Sequence, residues 1–136
     1  MTGARQLQEA IHACLTGNGS LVTLLGGPKV YDRPPHGAAM PYVTFGATRA
    51  FNAGSASEDA SEHLFTLHVW SGTGGRKHCM DVMEAIGVAL ETLAATNGSV
   101  RFVSLRRQGD DIAYEPGLKA WHGVVRYRAV TEAVTL

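Results

Sequence analysis

The chain has 136 residues, 45% of them hydrophobic, which suits one compact domain with a core of its own and is too little for two ordinary ones. Twelve basic side chains balance twelve acidic ones, so no net field draws the protein to DNA, RNA or an anionic membrane. Uncharged runs fall short of the ~20 apolar residues that cross a bilayer, and the N-terminal MTGARQLQEAIHACL carries charges where a signal peptide keeps its apolar stretch.

In chain order, Leu7, Ala10, Ile11, Cys14 and Leu15 recur at helical spacing and predict a first helix over Ala4–Thr16, closed by Gly17-Asn18. Ser20 can cap a short helical turn through Leu25, which Gly26-Gly27-Pro28 stops. The stretch Lys29–Gly46, KVYDRPPHGAAMPYVTFG, then holds three of the five prolines. Val30-Tyr31 can be a short strand, Pro34-Pro35 favours polyproline geometry, and Pro41 biases Met40 to extended backbone, so Tyr42–Phe45 arrives as a strand. This arm reads as architecture and not chemistry, with Arg33 and His36 as candidate contact residues.

Gly46–Ser61 is small, polar and rich in glycine and serine, which predicts a long flexible loop within the single domain 1–136. Arg49, Phe51, Glu58 and Asp59 in that loop are candidates for contact with a partner, Phe51 as an aromatic that would find its pocket elsewhere. Glu62–Ser71 alternates as a strand, with Phe65, Leu67 and Val69 on one face and Leu64, Thr66, His68 and Trp70 on the other. It is apolar enough on both faces to be central or to have the second face covered by a neighbour, which makes Trp70 another contact candidate. After Gly72–Gly75, Cys79, Val82, Met83, Ile86, Leu90 and Leu93 form the stripe of a second main helix over about Arg76–Ala95. Val100–Arg107 reads as a strand, Gly109-Asp110-Asp111 as a turn, Ile112–Tyr114 as a short strand, and Lys119–Thr131 as a long closing strand. The order predicts an α+β fold: an antiparallel or mixed sheet of about four main strands with two helices packed on one face.

Chemistry is harder to find. The close pair His78-Cys79 points about 100° apart on a helix and cannot form one side of a zinc site, so neither metal nor cofactor is expected. Cys79 follows Arg76, Lys77 and His78 near a helix start, where a thiol is activated, but its stripe position argues for a buried residue; Cys14 reads the same way. SGTGGRK, residues 71–77, lacks both the Walker and the dinucleotide spacing and reads as a connector. Arg106, Arg107, Arg126 and Arg128 fall on late strands that can be neighbours and could form a basic strip, either an ordinary solvated face, a set of inter-subunit ion pairs or a lumen lining.

Taken together, VYDRPPHGAAMPYVTFG, HLFTLHVWSGTGGRK and the closing WHGVVRYRAVTE resemble the tail-completion or tail-terminator family of long-tailed phages, prophages and gene transfer agents. The resemblance spans essentially the whole chain and rests on pattern over length, with no catalytic motif. It implies a structural protein and not an enzyme: a homo-oligomeric, hexameric ring on the head-proximal end of the tail tube, assembled in the bacterial cytoplasm and carried in the particle at the head-tail junction. Its partners would be the tail tube protein and the head connector, with DNA passing through the hole without sequence-specific binding and no membrane involved. The alternatives are a head-tail stopper or adaptor and, from another class, a small thiol enzyme using Cys79.

Overall fold

The computed structural model describes residues 3–53, 60–72 and 74–134. Three helices and six strands follow in the order α1 (Ala4–Thr16), α2 (Gly19–Leu25), β1 (Val30–Tyr31), β2 (Tyr42–Asn52), β3 (Ala60–Ser71), α3 (Gly75–Leu90), β4 (Thr96–Asn97), β5 (Val100–Glu115) and β6 (Ala120–Ala133). The strands form one sheet ordered β1-β2-β3-β6-β5-β4, antiparallel except for the parallel β1–β2 pair. The α+β class therefore holds: the short helix before Gly26 and the short strand Val30–Tyr31 join the main elements, and one further two-residue edge strand, β4, was not expected.

The core lies between the helices and one face of the sheet. Leu7, Ile11 and Leu15 repeat every four residues along α1 and are all buried, as a single stripe on a 3.6-residue helix must be. Asn18, and not Ser20, caps α2, its Oδ1 accepting from the Leu21 amide at 3.0 Å. Cys79, Val82, Met83, Ile86, Ala89 and Leu90 bury the inner face of α3 against Phe65, Leu67 and Val69 of β3 and Val125, Tyr127 and Ala129 of β6. Gly123 on β6 admits α3: a Cβ there would collide with Met83 Sδ. The glycines at the start of α3 have a backbone role, since Gly74 and Gly75 both take positive φ, 77° and 66°, a region that Cβ-bearing residues avoid. Thr73 of that connector lies outside the described residues.

Two further sequence expectations are overturned. The segment 46–61 is not loop throughout: β2 runs on to Asn52 and β3 begins at Ala60. Small polar residues suffice there because β2 and β3 pair from Arg49↔Leu64 to Asn52↔Ser61, which satisfies their backbone groups whatever the side chains. A bulge between Phe45 and Thr48 carries the chain past Gly46 into that extension. Likewise Gly109-Asp110-Asp111 is no turn. Bulges at Phe102/Ser104 and Arg107/Gly109 absorb extra residues, so β5 continues as one strand of 16 residues along β6. The first bulge also turns both Phe102 and Leu105 toward the core and leaves Val103 54% exposed.

Candidate assembly surface

The helices cover one face of the sheet, and β3 records the consequence residue by residue: Ser61, His63, Phe65, Leu67, Val69 and Ser71 are buried, while the residues between them are half-buried. Directly opposite residues in paired strands point to the same side, so the register defines the helix-free face. Trp70 aligns with Tyr42 and His122, and His68 with Thr44 and Val124. Leu64 aligns with Arg49 and Arg128, and Glu62 with Phe51 and Val130. On β5, Arg106 aligns with Arg128, Asp111 with Val124 and Ala113 with His122.

At the centre of that face is a stack of rings. Trp70 and His122 stack 3.9 Å apart between centroids at an interplanar angle of 7°, and His68 lies edge to edge with His122, 4.9 Å between centroids. A chain of hydrogen bonds runs across three strands: Thr66 Oγ1 to His68 Nε2 at 3.2 Å, His68 Nδ1 to His122 Nε2 at 2.7 Å, and His122 Nδ1 to Glu115 Oε1 at 3.3 Å. With Glu115 ionised and both rings neutral, one direction satisfies every atom. His122 Nδ1–H donates to the carboxylate, His68 Nδ1–H to His122, and the Thr66 hydroxyl to His68. Trp70 Nε1 donates to Thr44 Oγ1 at 3.3 Å. Burial, then the facing His122 and Arg126, pull the His68 pKa below its ordinary value and favour that neutral state. Gly46 makes room for the chain, because a Cβ there would overlap Thr66 Oγ1 and the His68 ring.

Around the stack two arginines are paired with acids. Arg126 donates to Asp111, and Arg128 Nε to Glu62 Oε1 at 2.6 Å. The four arginines expected as a strip thus divide. Arg106, Arg126 and Arg128 share the helix-free face, while Arg107 leans to the other side. There it lies over Gly87 of α3, donates to Met83 O at 3.2 Å and grips Asp110 through two bonds of 2.7 and 2.9 Å. Strand alternation separates the neighbouring arginines in this way, Arg106 lying opposite Arg128 and Arg107 opposite Tyr127.

Of the other candidate contacts, Arg49, Phe51 and Trp70 join the same face. Arg33 and His36 are exposed in the segment between β1 and β2, at the sheet edge. Glu58 and Asp59 lie outside the described residues. His68, His122, Glu115 and Thr66 went unmarked in the sequence; only the pairing of β3 with β6 and of β6 with β5 brings them together. Cys79 is fully buried, and burial pushes its thiol up to about 11, so it is protonated at neutral pH and unsuited to nucleophilic attack. Cys14 is half-buried, and its thiol donates to Ala89 O. Among the described residues no cluster of His, Cys, Asp and Glu could hold a metal, and no helix is long and apolar enough to cross a membrane.

On the covered face, α1 and the β2–β3 pair leave a cavity of about 500 Å³ lined by Leu7, Ile11, Phe45, His63 and Phe65 among others. His63 is fully buried; its Nε2 meets Thr131 Oγ1 at 2.8 Å, its Nδ1 has no partner among the described residues, and burial lowers its pKa.

Residues 9–132 match the family model described as tail completion protein gp17. Comparison with curated protein sequences gives no match. Among solved structures, a chain of the virion of a native gene transfer agent particle superposes with a TM-score of 0.80 at 24% identity, covering 93% of this chain and 95% of that one. The gp17 protein of bacteriophage SPP1 superposes with a TM-score of 0.59 at 18% identity, covering 99% and 93%. At these identities the two likenesses are of fold.

Proposed function

Because the chain belongs to the family of tail completion protein gp17, we propose that it is a virion or gene transfer agent component that closes into a ring, hexameric by the family resemblance, on the head-proximal end of the tail tube. The ring ends tube polymerisation by occupying the growing end and offers its far side to the head connector. DNA passes through the hole. The observation that carries this reading is the helix-free face, whose side chains are held in place before any partner arrives. A monomer needs no ordered stack of tryptophan and histidines on solvent-facing sheet, whereas a subunit that must meet a partner in one geometry gains from such preorganisation.

The charge balance of the face also fits a passage for DNA. Arg49, Arg106, Arg126 and Arg128 stand among Glu62, Asp111 and Glu115, and two of the arginines are already paired. A wall of that kind offers phosphates little net attraction, and a weakly attractive wall lets a polyanion slide. The gp17 family and the protonated, enclosed Cys79 both speak against the thiol enzyme.

Deleting the gene in a producing strain and imaging the tails tests the role. Overlong or irregular tubes are the expected result. Tails of normal length beside leaking heads would instead assign the protein to the stopper or adaptor position.

A further inference from the structure

The sheet has two long unpaired edges, and they suit each other. β1 covers only Val43–Thr44 of β2, and β4 covers only Val100–Arg101 of β5. Beyond those points the outer edges of β2 and of β5 have no strand neighbour among the described residues. Each presents a row of backbone donors and acceptors that another strand can satisfy. Bulges blunt part of both edges, but Thr48–Asn52 and Gly109–Glu115 are free of them. Thr48, Arg49, Phe51 and Asn52 are exposed, as are Gly109, Asp110 and Asp111.

The geometry points to β2 of one copy pairing with β5 of the next, so that the sheet continues from subunit to subunit and closes into a barrel. This rests on the ring reading above and names the strands that make the ring. β2, β3, β6 and β5 alternate in direction, so copies standing the same way up bring β5 antiparallel to a neighbour's β2. The contact joins two different surfaces, which is the heterologous type that builds rings.

Charge selects the register. Level pairing would set Arg49 against Arg106, since both lie on the row through Leu64 and Arg128. Sliding the neighbour by four ladder positions, which span five residues of β5 because the bulge at Arg107/Gly109 takes up Gln108, sets Arg49 opposite Asp111 on the same helix-free face and lays Phe51 over Gly109. That slide is what a closed sheet demands. At about 3.3 Å per position against four strands about 4.8 Å apart, four positions correspond to a strand tilt of about 35°, at the lower end of the 35–45° typical of barrels.

The test is charge reversal with a cross-linking control on the full chain, read by native mass spectrometry with isolated tail tubes available as template. Arg49→Asp and Asp111→Arg should each reduce the assembled fraction at least tenfold, and their combination should restore it. In a Cys14→Ser background, Arg49→Cys mixed with Asp111→Cys should give a disulfide-linked dimer under mild oxidation. An oligomer of the wild-type mass that neither reversal weakens, and that forms no such cross-link, would overturn the edge pairing and leave the ring intact. A chain that stays monomeric even on tube ends would overturn both.

Discussion

Two faces of a single strand hold together by different means. On the covered side of β3, Phe65, Leu67 and Val69 are sealed against α3 and share no polar contact; one residue along, Thr66, His68 and Trp70 stay half-open and are fixed by hydrogen bonds and stacked rings. Apolar burial is non-directional and grows with area, so the covered face supplies most of the stability while tolerating modest repacking. Hydrogen bonds and stacking contribute less net energy but fix orientation. The open face is therefore where specificity can be built without endangering the fold.

The sharpest way to break this contrast is to cut the covered face. Leu67 is fully buried, so Leu67→Ala should cost about 2–5 kcal/mol through lost transfer energy and a residual cavity. A urea denaturation series measures it. A loss below 1 kcal/mol would mean that the covered face does not carry the stability assigned to it.

Next in size is Gly46→Ala, which strikes the open face from β2. The new methyl would press on Thr66 Oγ1 and the His68 ring, and overpacking of this kind costs about 1–3 kcal/mol. Assembly on tail tubes should fall further than stability does, because the stack that would meet the partner is displaced. Equal losses in both would dissolve the division between the faces.

How far the sequence revealed these faces depends on where the information lies. The α1 stripe and the alternation of Phe65, Leu67 and Val69 are local patterns with one physical period each, and both were legible. The length of β2 was not. Residues 49–52 are strand because β3 lies beside them, and no property of GATRAFN itself reports that neighbour. The bulges in β5 hid its continuity in the same way, since an extra residue breaks the alternation that marks a strand. Of the surface, Trp70 was legible as an apolar residue on the wrong side of its strand, and Arg126 and Arg128 as a pair on one face. The His68–His122–Glu115 chain needs the register of three strands before it exists at all.

Acid should weaken both faces by similar physics. The pKa of His63 and of His68 is lowered in the folded chain, by burial in each case and for His68 also by His122 and Arg126. The unfolded chain, with histidines at the ordinary 6.5, then binds more protons than the native state below that pH, so stability rises with pH through this range. It is complete above about pH 7 and declines as pH falls through 6.5, by no more than about 1.4 kcal/mol per histidine for each unit below it. Thermal midpoints between pH 7.5 and 5 check this. His68→Gln should remove part of the slope, and an unaltered slope in His63→Gln and His68→Gln alike would assign the effect to other groups.

The smallest effect belongs to the exposed ion pairs, and it separates stability from assembly most cleanly. Arg126 and Asp111 both stand largely in solvent, where such a pair contributes about 0–1 kcal/mol and is screened by salt. Arg126→Gln should therefore leave the denaturation midpoint within that margin. Its effect on assembly should be slight or favourable, because Asp111 would lose a competitor and stay available to Arg49 of the neighbouring copy. If Arg126→Gln instead weakened assembly as strongly as Arg49→Asp, then Asp111 would be serving as an anchor within its own subunit, and the charge match across the joined strands would have to be sought at another register.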